Sequence, residues 1–498
     1  MNFRQPAFSL IIAWSCLGAA VVDPRLVEAV KRRDPAALRA LTQQGADVNA
    51  TSADGATALH WAAELDDLDS AVTLIAKGAN ANAANVHGAT PLFLACMNGS
   101  AAMVDLLLKA GADPNSASPE GETALMTAAR SGKKEALKLL LARGAEVNRK
   151  EAWRGQTALM WAAAEGHAQI VELLIEFGAD FRARSNGGFT PLLFAVREGR
   201  MEVVRRLLQA GADANESMPA RARRPPGAST TEPSNVRAGS SALHLAVTNA
   251  HFELASVLLD AGANPNADGP GWTPLHTMTW VRKPGTGSND PAPPGSGSMD
   301  SLTLVRKLAA KGADLNARMR VKSNAGLSVL NTIGATPFLM AARCADAEYM
   351  RLLASLGADP LLPNDDKSTP LMVAAGLGTR SPGEDAGSET EVLEAVKVAL
   401  ELGNDINAVD AGGETAMHGA AYKNLPGVVL LLAERGARIE SWNRKNKLGW
   451  TPLRIGEGVH RTGNLRPSPP TAAALRKVMS AAGVSTELDA PGLDTPVR

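Results

Sequence analysis

The stretch TPLFLACMNGSAAMVDLLLKAGADPN, residues 90–115, reads as one complete folding unit. Thr90 stands where a hydroxyl caps a helix, and Pro91 fills the first helical position, where its missing N–H costs nothing. Gly99 breaks the chain. Val104, Leu107 and Leu108 then form an apolar stripe at helical spacing, and Gly111 supplies the left-handed residue that ends a second helix. Ala95 keeps the first helix thin, so that a neighbour can stack closely. Two helices this short cannot bury their apolar faces alone, so stability must come from copies stacked on either side.

The copies are present. "TALH" at 57, "TPLF" at 90, "TALM" at 123 and 157 and "TPLL" at 190 are 33, 33, 34 and 33 residues apart. The tetrapeptide continues as "SALH" at 241, "TPLH" at 273, "TPFL" at 336, "TPLM" at 369, "TAMH" at 415 and "TPLR" at 451. A second marker precedes most of them: "GADVN" at 45, "GANAN" at 78, "GADPN" at 111, "GAEVN" at 144, "GADAN" at 211, "GANPN" at 262 and "GADLN" at 312.

A period near 33 with these two markers resembles the ankyrin repeat, over about residues 24–483. The resemblance implies an all-α solenoid of about 12 helix-turn-helix units with hairpin-like loops: a capping repeat at 24–49, an array over 50–483, and a frayed tail at 484–498. It also implies that the Thr and His of the tetrapeptide tie adjacent units through hydrogen bonds to backbone. His60, His244, His276 and His418 occupy that slot, and His167 and His251 sit at the turn between helices, so these six are frame. His87, on a loop tip, and His460 fall outside it.

Composition agrees. Lys+Arg and Asp+Glu are equal at 51 each, so no global field calls for nucleic acid or an acidic membrane. Aromatics are only 4%, which suits closely stacked helices better than a β-sandwich. Three cysteines make no disulfide framework. At the N-terminus, Arg4 precedes an almost wholly apolar run from Ala7 to Val22, too short for a comfortable membrane span. It fits a signal peptide over residues 1–20, giving a periplasmic or secreted chain that starts near Val21. Ala13-Trp14-Ser15 is a poor approach sequence for lipid attachment at Cys16. No later stretch is long and apolar enough to cross a bilayer, and a monomer is expected.

Where the period fails, something is inserted: at about 217–238, 282–299, 318–334, 377–390 and 456–470. Their Pro, Gly and Ser content predicts irregular loops rather than new domains. The family geometry puts the inserts at 217–238 and 318–334 on the binding-loop edge and the other three on the opposite edge. Arg221, Arg223, Arg224 and Arg237 in the first face only Glu232, and Arg318, Arg320 and Lys322 in the second have no acid, a local basic edge able to attract an anionic partner.

Chemistry-bearing motifs are weak. "GTGSND" at 285 lacks the rest of a phosphate loop, and the Asn364-Asp365-Asp366 tip matches no calcium loop. Cys96 and Cys344 read as packed thiols. No cofactor or metal is called for. The resemblance instead implies a concave groove whose variable positions lie seven and eight residues after the Thr. Carried over, the seventh gives Glu64, Met97, Arg130, Ala164, Arg197, Thr248, Trp280, Arg343, Gly376 and Tyr422. Loop positions add Trp153, Arg154, Phe189, Trp272 and Trp450, while Trp61 and Trp161 are expected to face the core. Ring and arginine side chains dominate many interfaces. The expected function is a non-enzymatic scaffold holding another protein or peptide in the groove. The alternative is an enzyme or small-molecule-binding protein with a pocket near His276, Trp280 and the 318–334 loop.

Overall fold

The computed structural model describes residues 24–219, 237–284, 293–322, 329–380, 382–383, 385–458 and 467–487. Among them are twenty-five helices and no strand, only isolated bridges within loops. The segment before Pro24, with Cys16, lies outside the described residues, as do Arg221, Arg223, Arg224, His460 and residues 488–498. The fold is an all-α repeat solenoid.

One unit shows why these residues form these elements. The Thr90 hydroxyl accepts from the Phe93 N–H at 3.3 Å and caps the helix Pro91–Asn98. Gly99, at φ 79°, ends it in the left-handed region, and Ala101–Lys109 follows. The inner helix Ala58–Glu64 packs on Pro91–Asn98, and Ala124–Arg130 on Ala158–Glu165. Leu59, Leu92, Leu125 and Leu159 are buried between them, each contributing about 1.5–3 kcal/mol.

Two ladders of polar bonds fix the stacking. In the first, the N–H of Thr57 donates to His60 Nδ1 at 3.0 Å, while His60 Nε2 meets the Ala89 carbonyl of the next unit at 3.0 Å. A carbonyl can only accept and a backbone N–H only donates, so the ring is the neutral Nε2–H tautomer. His244 makes the same bond to Trp272 O, His276 to Ala335 O and His418 to Arg444 O. His167 and His251 reach back to the carbonyls of Arg130 and Arg197. Burial pushes His244 and His276 down to about 4, because a charged imidazolium there would be poorly solvated.

The second ladder uses the asparagine of the other marker. Asn82 Nδ2 donates to Gly111 O at 2.8 Å, and its Oδ1 accepts from the Asp113 N–H at 2.7 Å. Asn49 and Asn266 repeat the arrangement. Each asparagine thus satisfies a helix-end carbonyl and the following turn of its neighbour.

The chain forms two compact units, one up to Pro191 and one from Leu192. Two inserts in the second, at 217–238 and 318–334, are added outside an unbroken loop neck. An ordinary loop closes with Ser52 N–H to Ala56 O and Gly55 N–H to Ser52 O, both at 2.9 Å. Met218 N–H to Ser240 O (2.8 Å) and Gly239 N–H to Met218 O (3.0 Å) reproduce that pair around the first insert. Met319 N–H to Ala335 O (2.9 Å) and Gly334 N–H to Met319 O (2.8 Å) do so around the third. Extra residues enter at the tip, where lengthening a closed loop costs little.

The described parts of the inserts pack onto the array. Arg282 forks onto Asp346 at 2.7 and 3.1 Å and reaches Glu348 at 3.0 Å, while Lys283 pairs with Glu391. From the other end of that insert, Ser296 donates to His251 Nδ1 at 2.8 Å and the Ser298 N–H to Glu253 at 3.0 Å. Lys423, buried at 7% exposure, donates to the Ala386 carbonyl at 2.6 Å, so the next insert is held too.

Candidate partner-binding faces

In the unit up to Pro191, ring and cationic side chains stand on inner-helix and loop-tip positions that the frame does not use. Trp153 is 65% exposed at a loop tip, and the Arg154 guanidinium lies over its ring at 4.2 Å. Their loop is tied down by the buried Glu151 carboxylate, which accepts the N–H groups of Trp153, Arg154 and Gln156 at 2.6–2.9 Å. Val86, at another tip, is 65% exposed, and Met97, on an inner helix, 40%. Arg130 pairs with Glu122 at 3.0 Å and lies over Trp161 at 5.3 Å.

Trp61 and Trp161 differ from expectation. Both are half-buried rather than core, each with a cation over its face: Lys31 at 4.3 Å from Trp61, Arg130 on Trp161. Among the described residues their indole N–H groups have no acceptor, and the cation over each ring face supplies a contact worth about 0.5–1 kcal/mol.

Three expected contact residues are not on an accessible surface. Phe189, Trp272 and Tyr422 are 4%, 7% and 1% exposed. The Tyr422 hydroxyl donates to Glu414 at 2.8 Å, and Asn446 Nδ2 donates to both, at 2.8 and 3.0 Å, so the ring closes an internal network. Trp450 and Arg343 are half-buried, and Arg197 pairs with Glu198 at 2.7 Å beside Phe194.

Trp280 is also not free. It meets Trp272 edge-to-face at 5.6 Å and packs against a cluster of Trp272, Met319, Leu330, Leu339, Met340 and Val373. Met319 and Leu330 come from the 318–334 insert, and Arg237, at the end of the first insert, lies over Trp272 at 4.8 Å. The inner face here is roofed by the chain itself.

The basic edge is likewise partly neutralised. Arg320 pairs with Asp268 at 2.7 Å, and Arg318 spends its guanidinium on the carbonyls of Gly334 and Pro363, both at 2.8 Å. Lys322 is exposed. The aspartate belongs to the neighbouring loop, outside the insert.

Among the described residues, the space beside Trp280 is occupied by Leu330, and His276 is fully buried in the frame. Clefts lie elsewhere, one of about 560 Å³ lined by Asn443, Lys445, Thr451, Arg454 and Met479, and one of about 540 Å³ lined by Arg438, Ser441, Arg444 and Lys445. Cys96 and Cys344 are buried, and burial pushes both thiols up, away from nucleophilic thiolate. Asp365 and Asp366 serve as loop-tip rungs: the Asp365 N–H donates to Ile333 O and the Ala411 N–H to Asp366 O.

Comparison with known proteins accords with this geometry. A family model of ankyrin repeats in three copies matches residues 26–118, 67–151 and 125–218, and a single-repeat model matches 238–269. Inversin of Gallus gallus is 35% identical over 133 residues, 25% of this chain and 11% of inversin. Protein fem-1 homolog A of Bos taurus is 34% identical over 85 residues, 17% of this chain and 13% of that protein. An ankyrin repeat protein of fowlpox virus is 31% identical over 118 residues, 24% of this chain and 27% of its own. The chain therefore spans only a small part of each relative. Ankyrin repeats generally mediate protein–protein interaction. With its two markers, its paired helices and these matches, the chain belongs to the ankyrin repeat proteins.

Proposed function

We propose that the protein is a non-enzymatic interaction scaffold that binds another protein or peptide across the inner-helix and loop-tip face of the unit ending at Pro191. The observation that carries this reading is the Trp153–Arg154 pair: a 65% exposed indole with a guanidinium 4.2 Å over it, on a loop tied down by hydrogen bonds to Glu151. An exposed ring held in one place loses little entropy on binding, and Val86, Met97 and Arg130 add further ring-free apolar area and charge on the same unit. The scaffold acts as a monomer.

The test is affinity capture from the native source with wild-type protein and with a Trp153→Ala/Arg154→Ala double variant. A partner retained by the wild type and lost by the equally stable variant supports the reading. Equal capture by both contradicts it. We also propose export, from the apolar run at Ala7–Val22. N-terminal sequencing of the mature protein near Val21 supports this, and intact Met1 protein in the cytoplasm contradicts it.

A further inference from the structure

Residues 329–331, in the returning limb of the third insert, lie across successive repeats of the unit that begins at Leu192. The Val329 N–H donates to Gly378 O at 2.9 Å and the Asn331 carbonyl accepts from Asn364 Nδ2 at 2.7 Å, while the Ile333 carbonyl makes the ordinary loop-tip rung to the Asp365 N–H at 3.1 Å. Bonds therefore fall on alternate residues. Between the first two, Leu330 turns into the cluster beside Trp272, Trp280, Met340 and Val373 and is 5% exposed. Backbone bonds on alternate residues with one side chain in a pocket is how an extended peptide is recognised.

Two further observations separate this limb from ordinary core. Gly378, at φ 90°, lets the limb approach closely: a Cβ there would stand 2.6 Å from the Leu330 Cβ. The neck bonds of Met319 with Gly334 and Ala335, the Ala335 N–H to Thr332 O bond, the Ile333–Asp365 rung and the His276–Ala335 bond are all made without residues 329–331. The limb can leave while the repeat frame stays closed.

We propose that residues 329–331 are a tethered ligand occupying a peptide-binding site on the inner face of this unit, and that the site accepts an extended partner segment presenting a leucine-sized aliphatic side chain when the limb leaves. This rests on the protein-binding reading of the fold, but its test requires no natural partner. It therefore fails separately from the Trp153 reading, which concerns the other unit.

The experiment uses the full-length chain carrying Leu330→Asp and a labelled synthetic peptide of residues 329–335. The folded variant should bind the peptide saturably and at least tenfold more tightly than the wild type, whose site is filled. The same peptide carrying Leu330→Asp should not bind. Absence of binding by a variant that melts like the wild type, or equal binding by both proteins, overturns the proposal. If Leu330→Asp prevents folding, hydrogen exchange of the wild type decides. The Val329 N–H should exchange at least a hundredfold faster than the Met340 N–H in helix Pro337–Arg343, whereas equal rates would make the limb fixed core.

Discussion

His276 Nε2 donates to the Ala335 carbonyl at 3.1 Å across 59 positions, the bond that His60 makes to Ala89 across 29. The insert is accommodated without altering the rung between repeats. A neutral ring that must accept at one nitrogen and donate at the other cannot take up a proton and keep both bonds. This makes the frame acid-sensitive. His244 and His276 are held near 4, against an ordinary 6.5, so between those values the unfolded chain binds more protons than the folded one.

The first prediction follows from that sign. Stability of the unit from Leu192 should be full above about pH 6.5, fall as pH drops through the window, and level near pH 4, at about 1.4 kcal/mol per pH unit for each such histidine. Asp410, raised by burial, acts in the opposite sense and reduces the slope. Urea unfolding between pH 7.5 and 4 measures it, and His276→Gln should flatten the dependence. A pH-independent midpoint in the wild type contradicts the buried neutral rings.

Thr157 and Leu159 test the modular frame. The Thr157 hydroxyl accepts from the Met160 N–H at 3.3 Å, and Leu159 is 1% exposed. Thr157→Ala should cost about 1 kcal/mol and Leu159→Ala about 2–5 kcal/mol. In hydrogen exchange, the loss of protection should centre on helices Ala124–Arg130 and Ala158–Glu165. Uniform loss over the chain would show that stability is not carried by neighbouring units.

Asn82 tests the second ladder. Replacing it with Ala removes the bonds to Gly111 and Asp113. Both are solvent-exposed, so the expected loss is about 1 kcal/mol in all. No change in the unfolding midpoint would mean that the ladder only accompanies the stacking.

Trp280→Ala should destabilise rather than merely blunt binding. The ring is partly buried against Trp272 and Met340, so the cost should fall at or below the lower end of the 3–5 kcal/mol typical of core rings, about 2–3 kcal/mol. A variant with unaltered melting would return Trp280 to the accessible surface.

The repeat, the Thr caps and the histidine rungs were legible in the sequence because each depends on residues within one unit or on a fixed period. The asparagine marker was legible as a period but not as a bond, since its partners Gly111 and Asp113 lie in the next unit. Trp272, Trp280 and Tyr422 were misplaced for the same kind of reason. Register assigns a residue to the inner face, but Met319 and Leu330, or Glu414 and Asn446, decide whether that face is covered. Arg320 finds its counter-charge in Asp268, 52 positions earlier, beyond any reading of the insert alone. The one-turn helix Ile439–Trp442 begins within "GARIE" at 436–440, where the marker loses its asparagine, and buries Trp442 to 2%.

Hydrogen exchange of the full-length protein, alone and with its captured partner, tests the proposed binding face most directly. New protection at the Val86 and Trp153–Arg154 loop tips and along the helices that carry Met97 and Arg130 is the predicted result. Protection absent there and confined to the edge formed by residues 293–300 and 385–388 would contradict it.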